Sequence, residues 1–222
     1  MNKVLVVVDM QNDFIDGSLG TKEALAVTPY VAEKIRDARK NGTHIVCTMD
    51  THNEDYLNSN EGKMLPVRHC VIGTDGWKLN KGILDALGEE TAERMEKALM
   101  FFQYKKDATN GVLFRSEDDM GRISVVYKGQ FGSPDIAEEV MQCVAGFSLY
   151  NAYNKRYGNI SDVEIELVGL CTDICVVSNA LLLKTYFPEA KVVADSRGCA
   201  GVTPEKHEAA LEVMRSCQIE II

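Results

Sequence analysis

The chain has 222 residues, of which 45% are hydrophobic and 26% charged, enough for one compact domain with a sizeable core. A formal net charge of -9 argues against a nucleic-acid or anionic-membrane surface as partner, and no apolar run is long enough to span a bilayer. The opening MNKVLVVVDMQNDF is interrupted by Asp9 and carries no small-residue cleavage site, so it does not read as a secretory signal. The seven cysteines are odd in number, scattered and free of any CxxC pair. Reduced thiols in a cytoplasmic chain are expected, without a zinc ribbon or thioredoxin-like site.

Strand-like and helical runs alternate along the sequence. Residues 3–9 read as a buried strand and 29–42 as a helix ending at Gly42. A second strand covers 43–50 and a third 122–128. A helix is expected over 133–156, with Ser133 as N-cap and Pro134 at its first position. The fourth strand, 163–170, leads into a helix reaching about Tyr186. A fifth strand at 190–196, a helix at 203–216 and a short strand at 218–222 complete the chain. This alternation predicts an α/β fold, a three-layer α/β/α sandwich around a mostly parallel sheet of about six strands. The whole chain, 1–222, reads as a single domain. The segment 85–121 fits the alternation badly and reads as an insertion: a lid, an interface element, or an extra helix with a surface loop.

In open parallel sheets function gathers at the carboxyl ends of the strands. Four strand ends here carry chemistry: Asp9, Asp50 with His52 beyond it, Lys128, and Cys171 with Cys175. Cys175 falls in the first turn of a helix, where free N–H groups and the helix dipole favour a thiolate; a buried structural cysteine is the plain alternative. Asp9 ends an otherwise apolar strand and needs a partner, either as general base for a thiol or in a structural ion pair. Lys128 would hold such charges in place, or it is a solvated strand end. Asp173 reads as a cap for the same helix. Asp50 and His52 point to one side of extended chain, and His69 returns from a loop. The three either ligate Zn²⁺, Fe²⁺ or Mn²⁺ or hydrogen-bond in a polar pocket. Cys70 packs inward, and His207 reads as surface.

Taken together, VVVDMQNDF (6–14), TMDTH (48–52), LPVRHCVIGTDGW (65–77), YKGQFGS (127–133) and VGLCTDICV (168–176) resemble the isochorismatase-like cysteine hydrolases, nicotinamidases and related amidases foremost. The resemblance covers most of the chain except 85–121. It implies Asp9, Lys128 and Cys175 as catalytic triad, backbone N–H groups of Cys171 and Cys175 as oxyanion hole, and a non-proline cis peptide before Cys171. It further implies Asp50, His52 and His69 as ligands of a divalent metal, zinc first and iron or manganese otherwise, and Phe14 as a substrate-pocket wall. The implied activity is hydrolysis of a small-molecule amide through a thioester, by a homo-oligomer. Alternatives are a metal-free hydrolase of a carbamoyl or ureido compound or of isochorismate, and a non-catalytic binder on the same fold. The sequence departs from the nicotinamidase pattern at Thr51 and Leu65–Pro66, where tryptophans are usual, and at QFGS (130–133).

Overall fold

The computed structural model describes residues 2–102, 110–118, 121–145 and 161–222. Seven strands form one sheet in the order β3-β4-β2-β1-β5-β6-β7: β1 (Asn2–Val8), β2 (His44–Asp50), β3 (Asn110–Asp118), β4 (Gly121–Lys128), β5 (Val163–Leu170), β6 (Lys191–Ala200) and β7 (Glu220–Ile221). All neighbours run parallel except β3 and β4, which are antiparallel. The helices are α1 (Asn12–Ile15), α2 (Lys22–Lys40), α3 (Asn60–Met64), α4 (Lys81–Leu87), α5 (Glu89–Phe102), α6 (Pro134–Ala145), α7 (Val177–Tyr186) and α8 (Pro204–Ser216). A π turn, Thr172–Val176, precedes α7.

The expected α/β architecture is present, with one strand more than the sequence predicts. The extra one is β3, an antiparallel edge strand inside the segment read as an insertion. Neither face of it shows the continuous apolar run of a central strand, because an edge strand is paired on one side only. Within the same segment Leu99 joins the core and Met100 is exposed; the side chains of Phe101 and Phe102 lie outside the described residues. So does the second half of the helix expected over 133–156. Helix α2 starts seven residues earlier than expected, capped by Thr21, which accepts from the Ala24 N–H. Pro29 therefore sits inside it, on the solvent-facing side beside exposed Leu25. There the carbonyl that loses its partner is free to meet water.

Successive side chains of β1 serve opposite layers. Leu5 and Val7 pack with Ile35, Ile45, Trp77 and Ile83 under α2 and α4. Val4, Val6 and Val8 pack with Val140, Val176, Leu183 and Met214 under α6, α7 and α8. The chain moves outward from β1 through β2 and β4, then crosses back to β5 on the other flank of β1. The carboxyl ends of β1 and β5 thus bound the crevice at which open α/β sheets bind ligands. Gly169 lets these ends close up: at φ +126° it lies where only glycine is at ease, and a Cβ there would stand 2.1 Å from the Val8 carbonyl oxygen.

Candidate active site

Asp9 follows β1 directly and takes φ +48°, which turns its side chain off the strand. It is fully buried. Its N–H donates to Thr48 Oγ1 (3.1 Å), and the Thr48 hydroxyl donates to Asp9 Oδ1 (2.5 Å). That leaves Oδ2, which lies 2.7 Å from Lys128 Nζ. Lys128 ends β4, is among the largest completely buried side chains, and also donates to Cys175 Sγ at 3.5 Å. The structure therefore brings Asp9, Lys128 and Cys175 together from three separate strand ends.

A lysine survives without water here because carboxylates surround it. Burial works against its charge, but Asp9, the Cys175 sulfur and Asp50 outweigh that and hold its pKa well above the usual value. Burial pushes the Asp9 carboxyl up; Lys128 opposes, and the charge of Asp50 adds to the rise. A carboxylate so placed is a better proton acceptor than one in water. The expectation of a lowered thiol pKa at a helix start is corrected. Burial, with Asp9 and Asp50, drives the Cys175 thiol well above its ordinary value against the pull of Lys128. The resting proton stays on sulfur. Asp173 does not cap the helix either: its carboxylate accepts from the Val202 N–H at 2.9 Å. Cys171 is half-buried at the start of the π turn, and the Leu170–Cys171 peptide is cis, matching the resemblance.

Beside this cluster stand Asp50, His52 and His69, all buried, with one donor atom of each within 4.8 Å of the others. Asp50 Oδ2 lies 3.0 Å from His52 Nε2 and 3.4 Å from His69 Nε2. Burial disfavours the Asp50 carboxylate, yet Lys128 and hydrogen bonds from both histidines hold its pKa far below the usual range. His69 is delivered by an extended loop segment: the His52 N–H donates to the Cys70 carbonyl (3.0 Å) and the Ile72 N–H to the His52 carbonyl (2.9 Å). Its Nδ1 is tied to the Val67 carbonyl at 2.8 Å, which turns Nε2 toward Asp50, the orientation that second-shell bonds give metal-ligating histidines. Two imidazoles and one carboxylate so arranged fit a borderline divalent cation. Cys70 points into the core, as expected.

Several residues of the site are not evident from the sequence. Glu61 on α3 places Oε1 at 3.9 Å from both His52 Nε2 and His69 Nε2; burial and the nearby Asp50 raise its pKa. Gln11 holds β2's end by both atoms of its amide, accepting from the Asp50 N–H (2.7 Å) and donating to the Asp50 carbonyl (2.8 Å). Asp13 accepts from the Cys70 N–H at 2.8 Å and so fixes the residue after His69. Both lie within the quoted VDMQNDF stretch, the one signal available for them. Phe14 sits with its ring 5.5 Å from that of His69, and Tyr56 packs against both His52 and His69 at 4.5 and 4.9 Å. Thr51, where a tryptophan is usual, accepts a hydrogen bond from the indole of buried Trp77 at 3.0 Å. A cavity of about 320 Å³ opens next to His52, lined by Asn53, Tyr56, Asn58, Ser59 and Gln130 among others. His207 is half-buried, not a surface residue as its sequence context suggests, and its Nδ1 lies 2.8 Å from Thr172 Oγ1.

Comparison with known proteins bears on the fold and the family. The nicotinamidase/pyrazinamidase of Mycobacterium tuberculosis is 24% identical over 228 residues, covering 99% of this chain and 98% of that protein. The crystal structure of a pyrazinamidase of Pyrococcus horikoshii in complex with zinc has a TM-score of 0.61 at 24% identity, covering 100% of this chain and 99% of that one. N-carbamoylsarcosine amidase from Thermoplasma acidophilum gives 0.59 at 19% identity, covering 100% and 95%. Residues 3–107 and 155–222 match the family described as Isochorismatase domain, a match that omits β4 and Lys128. By that match the chain belongs to the Isochorismatase domain family.

Proposed function

We propose that this protein is a cysteine-dependent amidase that hydrolyses a small-molecule amide through a thioester. The observation that carries the reading is the fully buried Lys128, 2.7 Å from Asp9 and 3.5 Å from Cys175, an expensive arrangement for a purely structural core. Asp9 takes the proton as Cys175 Sγ attacks the amide carbonyl. The backbone N–H groups of Cys171 and Cys175 receive the oxyanion, and Lys128 steadies the changing charges. The tetrahedral adduct collapses as the C–N bond breaks and Asp9 returns the proton to the leaving amine. A water then adds to the thioester carbonyl and gives a proton to Asp9. The C–S bond breaks, the acid leaves, and the thiol regains its proton.

Asp50, His52 and His69 would hold a divalent ion, with zinc first because the Pyrococcus horikoshii relative is described with zinc. When bound, such an ion supplies a positive anchor for a substrate lone pair at the mouth of the site. Phe14, whose ring lies beside that of His69, would wall the substrate pocket. Ammonia release from a panel containing nicotinamide, pyrazinamide and carbamoyl compounds tests the reading, with Cys175→Ala as control. Release by the parent chain and none by the variant is expected. A second reading, a carbamoyl or ureido substrate, is favoured by the amide and hydroxyl side chains of Asn53, Asn58, Ser59 and Gln130 around the cavity.

A further inference from the structure

Three observations converge on the π turn Thr172–Val176. Thr172 is fully buried, and its hydroxyl is paired with His207 Nδ1 at 2.8 Å. The next residue, Asp173, accepts from the Val202 N–H at 2.9 Å. Gly201 closes the gap between the two: a Cβ there would stand 2.8 Å from Asp173 Oδ1 and 2.9 Å from the His207 backbone nitrogen. The junction of β6 and α8 is thus clamped to the turn that carries Cys175 by two polar bonds and one missing side chain.

We infer that His207 is a positioning residue for the nucleophile turn, acting through Thr172. The inference rests on the reading of Cys175 as nucleophile. The turn must hold a sulfur and two N–H groups at fixed places around one carbonyl carbon. A π turn is rare and limited to a single turn, so its shape depends on outside contacts. His207 is anchored in the first turn of α8, where its N–H donates to the Thr203 carbonyl at 2.9 Å and Thr203 caps the helix. A rigid helix start therefore holds the imidazole, and the imidazole holds Thr172, three residues before the sulfur. Displacements on the order of 1 Å at such a turn cost about a hundredfold in rate.

The test compares the parent chain with His207→Ala, His207→Asn, Thr172→Val, the double variant His207→Ala/Thr172→Val, and Cys175→Ala. The substrate is whichever amide of the panel releases ammonia. His207→Ala and Thr172→Val should each lower kcat by about tenfold to a hundredfold, with KM changed less than about twofold. His207→Asn, whose amide reaches the position of Nδ1, should recover most of kcat, and the double variant should be no worse than either single one. Alkylation of Cys175 by iodoacetamide, itself a small primary amide, followed by mass spectrometry at that residue, should slow in step with kcat. An unchanged kcat in His207→Ala, or penalties that multiply in the double variant, would overturn the inference. If His207→Ala does not fold, Thr172→Val and His207→Asn decide it by the same criteria. Ammonia release persisting in Cys175→Ala would remove the nucleophile reading and this inference together; a dead Cys175→Ala beside an unimpaired His207→Ala removes this inference alone.

Discussion

Two clusters of buried charge sit on the same sheet, and they are built differently. Beneath α2, Glu166 of β5 and Asp195 of β6 are both buried, and Lys34 contacts the two of them. Lys3 adds a second cation 2.7 Å from Glu166, Arg197 grips Asp195 at 2.8 and 2.9 Å, and Tyr30 donates to Asp195 at 2.8 Å. Every charge there is answered at least once, and several side chains reach solvent. At the carboxyl ends of β1, β2 and β4, one ammonium serves two carboxylates and a thiol, and Lys128 and Asp9 have no exposed surface. Asp9 Oδ2, despite its 2.7 Å ion pair, receives no well-aligned hydrogen bond. Burial of charge alone does not separate the two clusters; the supply of cations does, several beneath α2 against one shared ammonium at the strand ends.

Substitutions that remove one member from each cluster should separate them. The largest effect is expected for Cys175→Ala, a loss on the order of 10⁶ in kcat, the scale seen when a covalent nucleophile is removed. Cys171→Ala should keep a large share of turnover, since the proposed mechanism uses only its backbone. Replacing Lys128 with Met leaves Asp9 and Asp50 without the ammonium they share. It should cost about 3–5 kcal/mol in urea unfolding and abolish activity with it. The matching Lys34→Met change leaves Lys3 and Arg197 in place, so a cost of about 1–3 kcal/mol with kcat retained is expected. Equal costs in the two clusters would erase the distinction drawn above.

Metal content sharpens it further. Purified protein should carry close to one divalent ion per chain by elemental analysis, and His52→Ala should remove it, while Asp195→Asn should leave it in place. A smaller effect concerns acid. Burial works against the Asp195 carboxylate, but hydrogen bonds from Arg197, Lys34 and Tyr30 win and bring its pKa from 3.8 down to about 2. A depressed carboxylate stabilises the fold above its unfolded pKa and loses that contribution as pH falls through the folded one. Asp195 should therefore add stability above about pH 4 that disappears toward pH 2. Thermal unfolding midpoints of Asp195→Asn should fall less steeply than those of the parent over that window.

Much of this was readable in the residues. Apolar runs bounded by turn residues identify β1, β2, β4 and β5, and a charged or thiol side chain at the end of each identifies the site. Glu61 was not readable, because α3 is a five-residue helix whose position depends on how the loop after His52 packs. Gln11 looks like any polar residue after a strand until β2 is laid beside it. The direction of the Cys175 pKa was misread because a helix start lowers a thiol's pKa only where burial and carboxylates do not oppose it. β3 escaped notice for want of a central-strand pattern. His207 stands 35 residues from Thr172, and nothing local connects them.

Gly169 touches no reacting atom, yet it sets how near the two halves of the site come. Any side chain there must drive β5 away from Val8, and Asp9 is the very next residue on one side while Cys171 stands two beyond on the other. The Asp9 carboxylate and the Cys175 sulfur would part together, with each still correctly made and correctly folded in its own neighbourhood. In a mutational survey scored by activity this glycine should look like a catalytic residue, while its true role is that of a spacer of zero length.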